Sequence, residues 1–94
     1  MNQEIKEAKK NLEKWLMDPH ELGQKPFKIE YTNSFVDEDG ISCLIFKYKV
    51  SMFGKWLLGI VSDSGTFSEM KEYHQETEIE DAKEILEIDR KSVV

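Results

Sequence analysis

A single cysteine leaves this chain of 94 residues no internal disulfide, and the lone thiol, Cys43, suits a reducing compartment. Long apolar runs are missing too: the longest, Trp56 to Val61, falls far short of the ~20 residues a membrane-spanning helix needs. The start, Met-Asn-Gln-Glu-Ile-Lys-Glu, has no apolar segment behind a basic one, so no secretory signal is expected. The cytoplasm is the expected location. His20, His74 and Cys43 are too few for a zinc site, and Asp37-Glu38-Asp39-Gly40 lacks the spaced oxygens and distal glutamate of a calcium loop. With no G-x-x-x-x-G-K-[ST] phosphate loop either, neither metal nor cofactor is expected.

Positive charge is scarce, and unevenly so. The formal net charge is -6, and residues 61 to 94 carry ten acids against four bases, whereas residues 24 to 60 carry five lysines against four acids. Duplex binding calls for a basic stripe whose released counterions drive association, so no nucleic-acid partner is expected, and no membrane. The acidic end suits a solvated face or a basic protein partner.

What is present supports one core over residues 1–94: 39% hydrophobic residues with ten aromatics in a chain that should bury somewhat over ~60% of its unfolded surface. Ile5, Ala8, Leu12, Trp15 and Leu16 form a helical stripe ending near Met17, with Asn2 as its cap and Pro19 as its stop. Asp18 to Gly23 forms a corner. From Pro26 the period becomes two, with Phe27, Ile29, Tyr31 and Phe35 expected on one strand face. After the turn Asp37–Gly40, the run Ile41 to Val50 forms a second strand and Trp56 to Ser62 a third, each apolar on both faces. A more polar fourth strand is expected over Thr66 to Tyr73, at an edge. Thr77-Glu78-Ile79-Glu80 has the form of a capping box, and Ile79, Ala82, Ile85, Leu86 and Ile88 supply the stripe of a final helix from about Glu78 to about Arg90. Short links between successive strands require antiparallel pairing. The expected fold is therefore α+β: an N-terminal helix, a four-stranded antiparallel meander and a C-terminal helix, in two layers with both helices on one sheet face.

Ser62-Asp63-Ser64-Gly65-Thr66 is the stretch that most resembles chemistry. A nucleophile elbow needs glycines two residues either side of its serine; around Ser64 those positions hold Ser62 and Thr66, and around Ser62 they hold Ile60 and Ser64. A three-residue hairpin loop, Asp63-Ser64-Gly65, suits the segment instead. No catalytic residue is assigned.

Two central strands apolar on both faces exceed what one helical layer can shelter, and an exposed apolar patch of that size marks an association site. The leading expectation is therefore a non-enzymatic protein acting through association as a homodimer through the sheet, with Ile45, Trp56, Leu57 and Val61 at the interface. An alternative is a small-molecule module with a pocket between sheet and helices lined by Tyr31, Tyr48 and Trp56. A third is an acidic inhibitor or immunity-like protein presenting Glu76, Glu78, Glu80 and Asp81 to a basic partner.

The segments WLMDPHELGQKPFKIEY and KWLLGIVSDSGTFSEMKEY resemble parts of a family of small uncharacterised bacterial proteins with a helix, a meander and a C-terminal helix. That resemblance covers most of the chain, includes no catalytic signature and implies no known activity or functional residue.

Overall fold

The computed structural model describes residues 3–91, so the proposed cap Asn2 lies outside the described residues. Helix α1 (Gln3–Met17) is followed by strands β1 (Lys28–Val36), β2 (Ser42–Lys49), β3 (Leu57–Ser62) and β4 (Gly65–Phe67). A 3-10 turn (Gln75–Thr77) then leads into helix α2 (Glu78–Lys91). The sheet order is β1-β2-β3-β4 with every pair antiparallel, so the expected α+β meander flanked by helices is the observed architecture. Among the described residues, no helix is long and apolar enough to cross a membrane.

The helices do not share a face. Ala8, Leu12 and Leu16 of α1 pack with Ile29, Leu44, Phe46, Tyr48 and Val61. Ala82, Ile85 and Leu86 of α2 pack with Cys43, Ile45, Leu58 and Ile60. Side chains alternate across a strand, so the even residues of β2 face one helix and the odd residues the other. The expected two-layer arrangement is corrected to three layers, with the sheet between the helices. The physical reason is the composition that prompted the association model: strands apolar on both sides need cover on both, and one helix at each chain end supplies it. Each fully buried leucine or isoleucine contributes about 1.5–3 kcal/mol by leaving water.

One extra residue redirects β1. Tyr31 pairs with Phe46 but Asn33 pairs with Ile45, leaving Thr32 as a bulge whose hydroxyl donates to the Ile45 carbonyl at 3.2 Å. Beyond a bulge the parity reverses. Ile29 accordingly packs beneath α1 and Phe35 beneath α2, while Phe27 is exposed, correcting the single face expected for Phe27, Ile29, Tyr31 and Phe35.

The turns follow from local hydrogen bonding. Asp18 accepts from the His20 N–H at 2.8 Å, and the Gly23 N–H returns to the Leu16 carbonyl at 2.9 Å, closing the corner after α1. Asp37 accepts from the N–H groups of Asp39 and Ile41, each at 2.9 Å, and Gly40 takes the left-handed φ of 79° that completes this hairpin. In the third hairpin Ser62 pairs with Gly65, so the loop is the two residues Asp63 and Ser64, one fewer than expected. The Ser62 and Ser64 hydroxyls bond each other at 2.8 Å. The segment is a bend.

β4 is shorter than the expected Thr66–Tyr73 because its pairing is interrupted. Ile60 pairs with Phe67, and the next partner pair is Leu57 with Glu72; the intervening bulge contains Met70 at φ 59°. Ser68 fastens the bulge: its hydroxyl donates to the Leu58 carbonyl at 2.8 Å and receives the buried Tyr48 hydroxyl at 2.7 Å. Burial raises the Tyr48 pKa against the opposing effect of Ser68, keeping the donor protonated. At the start of α2, the Thr77 hydroxyl donates to Asp81 at 2.8 Å in place of the expected reciprocal box with Glu80, and Ile88 is exposed.

Candidate functional site

One end of the sheet gathers features that folding does not require. The register sets Lys28 opposite Lys49, and Glu30 opposite Lys47, at the end of β2 nearest the β2–β3 connection. Cross-strand partners share a face, so these lysines project on the α2 side of the sheet. The ammonium groups of Lys47 and Lys49 lie 4.6 and 4.7 Å from the centre of the Trp56 ring, and that of Lys47 also lies 5.6 Å from the Tyr73 ring. The electron-rich ring faces attract the half-buried cations by about 0.5–2 kcal/mol each, which offsets the repulsion between neighbouring ammonium groups.

Between these lysines and Lys55 the chain makes the turn Ser51–Gly54, closed by the Gly54 N–H donating to the Ser51 carbonyl at 3.1 Å. Met52 and Phe53 occupy its two central positions. Phe53 is 95% exposed and Met52 58% exposed, so neither owes its place to the core. Phe27, 53% exposed, joins them at this end through the bond from its N–H to the Lys49 carbonyl. Of the lysines here, only Lys55 forms an ion pair among the described residues, a long contact of 3.9 Å to Glu72.

A separate network locks the neighbouring bulge onto α2. Lys71 bridges Glu84 at 3.1 Å and Asp81 at 3.3 Å, and both contacts raise its pKa, Glu84 the more. Burial alone would raise the Asp81 carboxyl, but the Thr77 hydroxyl and the Lys71 ammonium together hold it below the ordinary carboxylate value. Tyr73 donates its hydroxyl to Glu78, a buried carboxylate; burial and this bond raise the Tyr73 pKa. Tyr73→Phe leaves that carboxylate without its phenolic donor. The expected loss is about 1–3 kcal/mol, read as a lower urea midpoint with an unchanged slope.

At the opposite end of the strands, beside α2, lies a cleft of about 590 Å³. Val36 and Leu86 contribute its apolar surface, and Asp37, Glu38, Glu80, Glu84 and Glu87 its carboxylates, with Lys83 as the one cation in the wall among the described residues. Glu80, Lys83, Glu84 and Glu87 recur at helical spacing, so one face of α2 supplies most of this wall. The carboxylates are spread out: among the described residues, no group of three His, Cys, Asp or Glu side chains is placed to hold a metal ion.

The residues proposed from sequence are scattered by the fold. Ile45 is fully buried beneath α2, Val61 is buried beneath α1, and Leu57 is half-buried against the α1 cluster; only Trp56 sits at the lysine-rich end. Tyr31 borders a shallow groove of about 330 Å³ with Ile5, Lys9 and Ile29, and meets Phe46 edge-on at 5.8 Å. Tyr48 lies in the core and Trp56 on the other face of the sheet, so the three aromatics line no common pocket. Of the proposed acidic surface, Glu76 is exposed, Glu80 lines the cleft, and Glu78 and Asp81 are engaged within the fold. Met52 and Phe53 were visible in sequence as two large apolar residues inside a turn, where polar residues are usual. No family model, curated protein or solved structure matches this chain.

Proposed function

We propose that the protein is a cytoplasmic association module that docks through the end of the sheet formed by the β2–β3 turn. Phe53 serves as the anchor, entering an apolar pocket of a partner protein, and Lys47, Lys49 and Lys55 form a cationic rim that meets carboxylates around that pocket. The observation that carries this reading is Phe53 itself: a large aromatic, 95% exposed, on a hydrogen-bonded turn between Lys49 and Lys55, of which only Lys55 forms an ion pair among the described residues. A central aromatic surrounded by a polar rim is how binding energy is usually concentrated in protein interfaces. The buried lone cysteine agrees with a reducing compartment.

Two measurements test it. Phe53→Ser should change folding stability by less than about 0.5 kcal/mol, because the side chain has almost no surroundings to lose; a cost above about 1 kcal/mol would make Phe53 structural and defeat the reading. In a Trp15→Phe background Trp56 is the remaining tryptophan, and an oligoglutamate peptide should alter its fluorescence at low salt. The change should vanish at high salt and in Lys47→Gln/Lys49→Gln. No change at low salt counts against the cationic rim.

A second reading rests on the cleft beside α2, whose carboxylates and apolar floor suit a basic segment with a hydrophobic tip. Neutralising Glu80 and Glu87 would weaken such binding.

A further inference from the structure

We infer that the partner is a second copy of this chain, whose acidic cleft receives the β2–β3 tip of the first. This inference rests on the docking end proposed above and supplies its occupant. The two surfaces match in kind at each level. The tip offers Phe53 and Met52, and the cleft offers apolar surface from Val36 and Leu86. The tip is flanked by Lys47, Lys49 and Lys55; the cleft is flanked by Glu80 and Glu87 of α2, with Lys83 and the Lys71-bound Glu84 between them and Asp37 and Glu38 opposite. A volume of about 590 Å³ lies within the range of ~300–1,000 Å³ usual for binding pockets and leaves room for both apolar side chains.

The contact is between molecules because the two surfaces lie at opposite ends of the strands. β2 has 8 residues, a length of roughly 27 Å at ~3.4 Å per residue, and it separates its own tip from the turn that borders the cleft. Each copy carries one tip and one cleft, so copies join head to tail. Such a heterologous contact closes into a ring or extends as a chain according to the rotation between neighbours. Lys49 and Lys55 flank the tip at one end of the strands, and Glu80 and Glu87 of α2 line the cleft that reaches the β1–β2 turn at the other.

The test is light scattering coupled to size exclusion, with protein up to about 1 mM because exposed ion pairs are individually weak. Mass should rise with concentration in about 20 mM salt and return to that of a monomer in about 0.5 M salt, where the screening length is only a few ångströms. A tip variant, Phe53→Ser/Lys49→Glu, and a cleft variant, Glu80→Lys/Glu87→Lys, should each remain monomeric at low salt. Mixed, they should form a one-to-one complex, since the tip variant keeps a working cleft and the cleft variant a working tip. Phe53, Glu80 and Glu87 are exposed and Lys49 is half-buried over Trp56, and thermal melts of both variants confirm that each is folded before mixing.

A monomeric wild type at low salt, or a mixture that forms no complex, overturns the inference. If the oligoglutamate titration of Trp56 succeeds while the wild type stays monomeric, the docking end stands and the second copy falls. If both fail, both fall. Binding of the monomer to phosphatidylserine vesicles, lost in Phe53→Ser/Lys49→Glu, would assign the tip to an anionic lipid surface and overturn the inference equally.

Discussion

Ile45→Asp abolishes the cooperative thermal melt and the native circular dichroism at every protein concentration. Ile45 is fully buried among Cys43, Leu58 and Ile60 of the sheet and Ala82 and Ile85 of α2. A carboxylate there meets no cation within the cluster, and an unpaired buried charge costs several kcal/mol even after the surroundings relax. Set against a total stability of about 5–15 kcal/mol for a domain of ordinary stability, that is enough to unfold it. The milder Ile45→Ala should cost about 2–5 kcal/mol through lost burial and the cavity left behind. A surface role for Ile45 predicts the reverse: Ile45→Asp would then melt normally and alter only the mass in solution. That outcome would remove α2 from this face of the sheet.

Gly59→Val is the second large effect, and it tests the other helix. A Cβ at position 59 would lie 3.0 and 3.1 Å from the two Leu12 methyl carbons and 3.5 Å from Cε1 of Tyr48. Gly59 is therefore the place where the sheet lets α1 settle closely, and Leu12 fills the space that a side chain would take. Leu12 and Tyr48 are both fully buried, so neither has open space into which to retreat. Valine adds two further methyl groups and should cost on the order of 1–3 kcal/mol, a fall in melting temperature of roughly 4–8 °C per kcal/mol. The second site identifies the cause. In Gly59→Val/Leu12→Ala the combined loss should be smaller than the sum of the two single losses, because the truncated leucine gives back the space that valine occupies. Strict additivity would show that Leu12 and Gly59 do not meet.

Much of the fold is legible along the chain because its determinants are local. The stripe Ala8, Leu12, Leu16, the stop at Pro19 and the turn at Asp37–Gly40 depend on neighbours a few residues away, and each appears where periodicity and turn chemistry put it. The double-sided apolar character of β2 and β3 is equally readable, and it does mean that both faces are covered. Its cover is the point of difference. A composition that demands two covers is satisfied equally by a partner subunit and by a helix at each end of the chain, and nothing in the strands themselves separates these. The lysine-rich end was obscured for another reason: Lys28, Lys47, Lys49 and Lys55 are dispersed in sequence and become neighbours only through the pairing of β1 with β2 and the return of β3.

By itself, then, the amino-acid order determined which segments coil, which extend, where the chain turns and that successive strands run antiparallel, since each depends on spacing or on a few adjacent residues. Only the tertiary structure decided which side of the sheet each helix takes and which charges meet. Those depend on parity, and parity is not local: the single additional residue at Thr32 sends Ile29 and Phe35 to opposite helices, because side chains in a strand alternate and one insertion reverses every position after it.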